Sequence, residues 1–170
     1  MAYGIPTDVA SIIAAISFKL VETDLLFQAN QVWVTLASDK DLEELPMKDQ
    51  MVTIRPDSFT AVTSEVRGGG RNQFSCNGTL SLSLWSRLWT GQLLNDWDAL
   101  QDASKGILTL WMQLLDSLEQ FAPQAAGCSD CLLREPMRLM SFTVVPVRLL
   151  RRGWTRLDST WSIKYVQRFS

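Results

Sequence analysis

The chain has 170 residues, 46% of them apolar and 20% charged, with a formal net charge of −2. That composition is globular, neither disordered nor membranous, and the length fits one domain around one core. There is no histidine, which removes the side chain most used for proton transfer near neutral pH and for transition metals, so histidine-based triads are excluded.

Pro6 and Thr7 precede Val9, Ile12, Ile13, Ile16 and Leu20, whose three-and-four spacing predicts an amphipathic helix capped by Thr7 or Asp8 and ending near Val21. Its apolar run, 9–18, is shorter than the roughly 18 residues that cross a bilayer and lacks a basic leader or a small-residue cleavage site, so it is read as a helix of the mature protein. Val32, Val34 and Leu36 alternate with Trp33 and Thr35, a short strand closed by the acidic turn ASDKDLEELP. A second strand, 51–55, is expected to stop at Pro56, because proline cannot donate to a ladder.

Residues 56–74 keep neither a helical nor a strand period and contain Gly68, Gly69 and Gly70, which predicts a long flexible loop or an extended hairpin arm. Leu80, Leu82 and Leu84 then alternate with Thr79, Ser81 and Ser83, a strand with one buried and one hydroxyl-lined face. Asn95 or Asp96 can cap a long helix whose inner face includes Trp97, Leu100, Ser104, Ile107, Leu108, Trp111, Leu114, Leu115, Leu118 and Phe121, ended by Pro123. After the loop AAGCSDC, residues 140–150 and 157–166 read as strands joined near RRGW, the last one with Leu157, Ser159, Trp161, Ile163 and Tyr165 on one face. Without a repeat or a dividing linker, residues 1–170 form a single α+β domain. It is expected to be a largely antiparallel or mixed sheet packed by an N-terminal helix and one long central helix, with a long inter-strand arm.

Candidate chemistry is sparse. RGGGRNQ lacks the following helix and the lysine and hydroxyl residue that a phosphate loop needs, and a mobile turn using the glycines' positive φ explains it better. Cys128 and Cys131 have zinc spacing, yet only Cys76 remains as a third thiol, and a closed tetrahedral site wants four ligands. The reading is two incidental loop thiols, and three cysteines in all favour a reducing compartment. Asp98 with Asp102, and Glu43 with Glu44, read as solvated surface because nothing desolvates one of each pair. Trp85, Trp89, Trp97 and Trp111 fall on or near core-facing positions, which suits a large core and a subunit interface better than a single-strand nucleic-acid groove. No catalytic, cofactor or metal-binding residue is assigned.

Charge is unevenly distributed along the chain. Residues 133–170 carry eight basic and two acidic side chains, a net of +6 that leaves −8 for the remainder. Such a molecule can attract a copy of itself head to tail, the heterologous contact that builds rings.

Taken in order, MVTIRPDSFTAV, RGGGRNQF, LSLSLWSRLW, DWDALQDASKGILTLWMQLLDSL, REPMRLMS and RGWTRLDSTWSIKYV resemble the tail terminator (tail completion) proteins of tailed bacteriophages and prophages. The resemblance covers residues 50–166, and the first 49 match in general layout only. It implies a structural virion protein, assembled in the host cytoplasm as a homo-hexameric ring at the head-proximal end of the tail tube. There it would end tube polymerisation and join the tail to neck or connector proteins, and genomic DNA would pass through its lumen without sequence-specific binding. It implies no enzyme activity, cofactor or membrane partner. By position in the pattern, the candidate subunit and partner contacts are Arg55, Arg67, Gly68, Gly69, Gly70, Arg71 and Asn72 in the arm, with Arg151, Arg152 and Trp154 near the final turn. The alternatives are a neck connector or stopper ring, and a non-specific nucleic-acid-binding module using the basic C-terminal part. A metal or redox protein built on Cys128 and Cys131 is a third.

Overall fold

A computed structural model describes residues 9–36, 49–62, 73–87, 106–122, 133–145 and 154–168. In chain order these form α1 (Val9–Phe18), β1 (Val32–Val34), β2 (Gln50–Val62), β3 (Gln73–Arg87), α2 (Ile107–Leu118), β4 (Leu133–Val144) and β5 (Trp154–Arg168). The five strands make one sheet in the order β1-β2-β3-β5-β4. The β1–β2 pair is parallel and every other pair antiparallel, so the α+β expectation and the mixed sheet both hold.

Both helices lie on one face of the sheet. Ile12, Ile13, Ile16 and Leu20 form the predicted apolar stripe and are buried with Ile107, Leu110, Trp111, Leu114 and Leu118 of α2. They pack on Val52 and Ile54 of β2, Leu80, Leu82 and Leu84 of β3, and Leu157, Trp161, Ile163 and Tyr165 of β5. Each fully buried large side chain of this kind contributes roughly 1.5–3 kcal/mol relative to exposure. The polar pair Trp161 and Ser159 is satisfied within this core, because Trp161 Nε1 donates to Ser159 Oγ (2.9 Å) and Ser159 Oγ donates to the Leu82 carbonyl (3.1 Å). A buried indole N–H left unpaired there would cost free energy, which explains a serine among apolar neighbours.

α1 ends in a wider turn, Lys19–Thr23, closed by the Asp24 N–H on the Lys19 carbonyl (2.9 Å). Leu25 then takes a positive φ of 54°, the left-handed conformation that reverses a chain leaving a helix. Asp24 ties this corner to α2 by an ion pair with Lys19 (2.9 Å) and a hydrogen bond from Ser117 Oγ.

Several expectations are corrected. β2 does not stop at Pro56 but continues to Val62, because the ladder shifts register between Pro56 and Ser58 and the missing proline N–H falls at that irregularity. Of the two forms expected for residues 56–74, the described parts, 56–62 and 73–74, take that of an extended hairpin arm, with β2 and β3 paired out to Val62 and Ser75; residues 63–72 lie outside the described residues. β1 ends at Val34, short of Leu36, and Val34 and Leu36 are 54% and 82% exposed on this edge strand with one neighbour. β4 starts at Leu133, seven residues before the expected 140, and ends at Val144. The long helix is shorter than expected: α2 starts at Ile107, after Gly106 with an extended ψ of 131°, and ends at Leu118 instead of at Pro123; Trp97, Leu100 and Ser104 of its expected inner face, with Trp89, Cys128 and Cys131, lie outside the described residues.

Candidate interaction surface

The face of the sheet away from the helices was expected to be hydroxyl-lined. The cross-strand pairs Met51↔Trp85, Thr53↔Ser83 and Arg55↔Ser81, continued by Trp85↔Arg156, Ser83↔Asp158 and Ser81↔Thr160, put these side chains on that face. One end is apolar and closed: Met51, Trp85 and Trp154 are buried, and Trp33 packs against them. The Arg156 guanidinium lies 4.9 Å from the centre of the Trp85 ring and Arg87 lies 6.0 Å from that of Trp154, positions in which a cation is attracted by the ring face. Arg156 also donates through Nε (3.2 Å) and Nη2 (2.8 Å) to Asp158 Oδ2. The Trp85 indole N–H and Asp158 Oδ1 are buried without a hydrogen-bond partner among the described residues.

Toward the arm the face becomes polar. Arg55 Nε donates to Asp57 Oδ1 (3.1 Å), and Ser81 Oγ donates to the other oxygen of the same carboxylate. Lys164 Nζ lies 2.9 Å from both oxygens of Glu135 across β4 and β5. These are exposed pairs, worth about 0–1 kcal/mol each, and they define charge positions more than they stabilise the fold.

Of the sequence-derived contact residues, the described part places two on this face: Arg55 mid-ladder at the Asp57 pair and Trp154 at one end in the buried tryptophan cluster. Arg67, Gly68, Gly69, Gly70, Arg71, Asn72, Arg151 and Arg152 lie outside the described residues. Among the described residues no cluster of three metal-ligating side chains occurs, and no helix is long and apolar enough to cross a membrane.

The structure adds surfaces that sequence reading missed, both at the sheet's edges. Met140, Phe142 and Val144 of β4 are 60%, 51% and 38% exposed, as is Met112 of α2 at 57%, and the Phe142 ring lies 5.3 Å from that of Trp111. At the opposite edge, Phe18 and Val34 are half exposed beside an apolar groove between α1 and β1. Exposed apolar side chains gathered at a sheet edge mark contact surface.

Solved structures that share this architecture include the following two. A chain in the virion of a native gene transfer agent particle superposes with a TM-score of 0.57 at 12% identity, over 92% of this chain and 96% of that one. A chain in the sheath/tube terminator of an extracellular contractile injection system, in its extended state, superposes with a TM-score of 0.51 at 12% identity, over 96% of this chain and 57% of that one. No family model and no curated protein sequence matches the chain. The likeness is thus one of fold, and it is consistent with the tail-terminator resemblance read from the sequence.

Proposed function

We propose that this chain is a non-enzymatic structural protein of a phage-type tail, a terminator that forms a hexameric ring at the head-proximal end of the tail tube. The ring ends tube polymerisation and offers the surface on which neck proteins dock, with DNA passing through its lumen as past a diffuse field of charge. The observation that carries this reading is the fold, which is shared over nearly the whole of both chains with a component of a gene transfer agent virion. The second neighbour is described as a sheath/tube terminator, which favours terminator over neck connector or stopper. The uneven charge and the two exposed apolar edges supply what a ring requires, two different surfaces on one protomer.

The test is to mix the purified chain with tail tubes and image them. Density capping one end of each tube, with the rotational symmetry of a ring, is the expected result. Density along the tube wall, or only on isolated neck complexes, would replace the reading with that of a decorating or a connector protein.

A further inference from the structure

β4 is the last strand of the described sheet, and a last strand offers its outward N–H and C=O groups to any other extended chain. Along the first half of β4 the end of α2 takes up those groups. Between Glu135 and Arg138 the register against β5 shifts, and Met137, within that shift, is bonded to the end of α2 through both of its backbone groups. Its N–H donates to the Phe121 carbonyl (3.0 Å), and its carbonyl accepts the Gln120 N–H (2.9 Å). Leu139 pairs with Trp161 in the ladder, while its N–H donates to Glu119 Oε2 (2.9 Å). Among the described residues no such bond from outside the ladder reaches residues 140–144.

Three consecutive residues thus bind the edge with three different groups: the Glu119 carboxylate, the Gln120 N–H and the Phe121 carbonyl. What aims the last two at one residue of β4 is the φ of 62° at Gln120, the left-handed position at which a chain commonly leaves a helix. The surroundings hold this hook down. Phe121 is buried, the Lys19 ammonium lies 5.9 Å from the centre of its ring, and Ser117 is hydrogen-bonded to Asp24 at the end of α1. On the other side of the contact the Met137 side chain is fully buried, so β4 is anchored where the hook meets it.

We propose that residues 119–121 are a guard on the β4 edge, closing its first half to strand addition so that the sheet does not grow open-endedly from this side. The guard concerns the edge of one protomer, and it holds whether or not the chain closes rings. With Met137 and Leu139 engaged, an incoming strand finds too short a stretch of β4 to extend the sheet.

The test compares Gln120→Pro with Gln120→Gly in the full chain. Proline has no N–H and cannot take a positive φ, so the guard should lift, whereas glycine keeps both. Exchange of the Met137 and Leu139 amide hydrogens should be at least about tenfold faster in the proline variant and within about twofold of wild type in the glycine variant. In sedimentation velocity the wild type and Gln120→Gly are expected at one closed mass, monomer or ring, and Gln120→Pro as species that keep growing with concentration. Adding Met140→Lys to the proline variant puts a charge on the exposed edge and should restore the wild-type mass. A folded proline variant that keeps the wild-type mass, growth that survives Met140→Lys, or growth by Gln120→Gly overturns the guard. Should Gln120→Pro lose its circular dichroism spectrum, Glu119→Ala against Glu119→Gln provides the second measurement, since glutamine keeps an acceptor for the Leu139 N–H and alanine does not. Faster Leu139 exchange with growth in the alanine variant alone supports the guard, and equal masses for the two folded variants overturn it.

Discussion

The ring of Phe59 occupies the space that a side chain on Gly78 would need: a Cβ there would stand 2.4 Å from Phe59 Cδ1 and 3.2 Å from the Ser58 carbonyl. The two residues face each other across β2 and β3, and Phe59 also meets the Tyr165 ring edge-on at 6.4 Å. Gly78→Val should therefore expel the phenyl ring and destabilise the base of the arm by about 1–3 kcal/mol, measured as a lowered urea midpoint. Removing the ring as well, in Phe59→Ala with Gly78→Val, should cost less than the sum of the two single changes. Additive losses would mean that the two positions do not contend for one space.

Ser159 carries the buried indole of Trp161 to the Leu82 carbonyl. Ser159→Ala strands that N–H in the core, and the expected loss is about 1–3 kcal/mol. Ser159→Thr keeps the hydroxyl, so it should lose less than the alanine variant. Equal losses would show that packing, not the hydrogen bond, sets the residue.

Asp24 gives a prediction in pH. Burial alone would raise its pKa, but hydrogen bonds from Ser117 and Lys19, with the Lys19 charge, outweigh burial and hold it below the ordinary 3.8. A carboxylate depressed in the fold contributes stability that is fully present above the unfolded value and is lost as pH falls through the folded one. Asp24→Asn should accordingly cost about 1 kcal/mol near neutral pH, with the difference from wild type shrinking below pH ~4. Unfolding midpoints measured across that range check it; a difference that grows on acidification would reverse the assignment.

How far the sequence reached can be judged strand by strand. The inner faces of β3 and β5 were legible because a two-residue period survives wherever a strand has neighbours on both sides and a helix layer above, as at Leu82 and Trp161. β4 was misplaced because three register shifts, one between Glu135 and Arg138 and thus spanning Pro136, break its period, so its first half resembles a loop. Val34 shows the converse: it alternates as in a strand, yet it is 54% exposed, because β1 stands at the edge of the described sheet. The same limit hid Met140, Phe142 and Val144, since apolar residues in a strand look like core until topology reveals that, among the described residues, no strand lies beyond β4. Charge asymmetry was legible, and of the ten contact positions read from the sequence only Arg55 and Trp154 fall within the described residues.

The most direct test of a terminator is tube length. Tube protein is polymerised with and without the purified chain, and lengths are measured in micrographs over time. The account predicts that growth halts on addition at about one ring per tube end, giving a narrow, stable length distribution. Tubes that keep lengthening with the chain in large excess over their ends would contradict it.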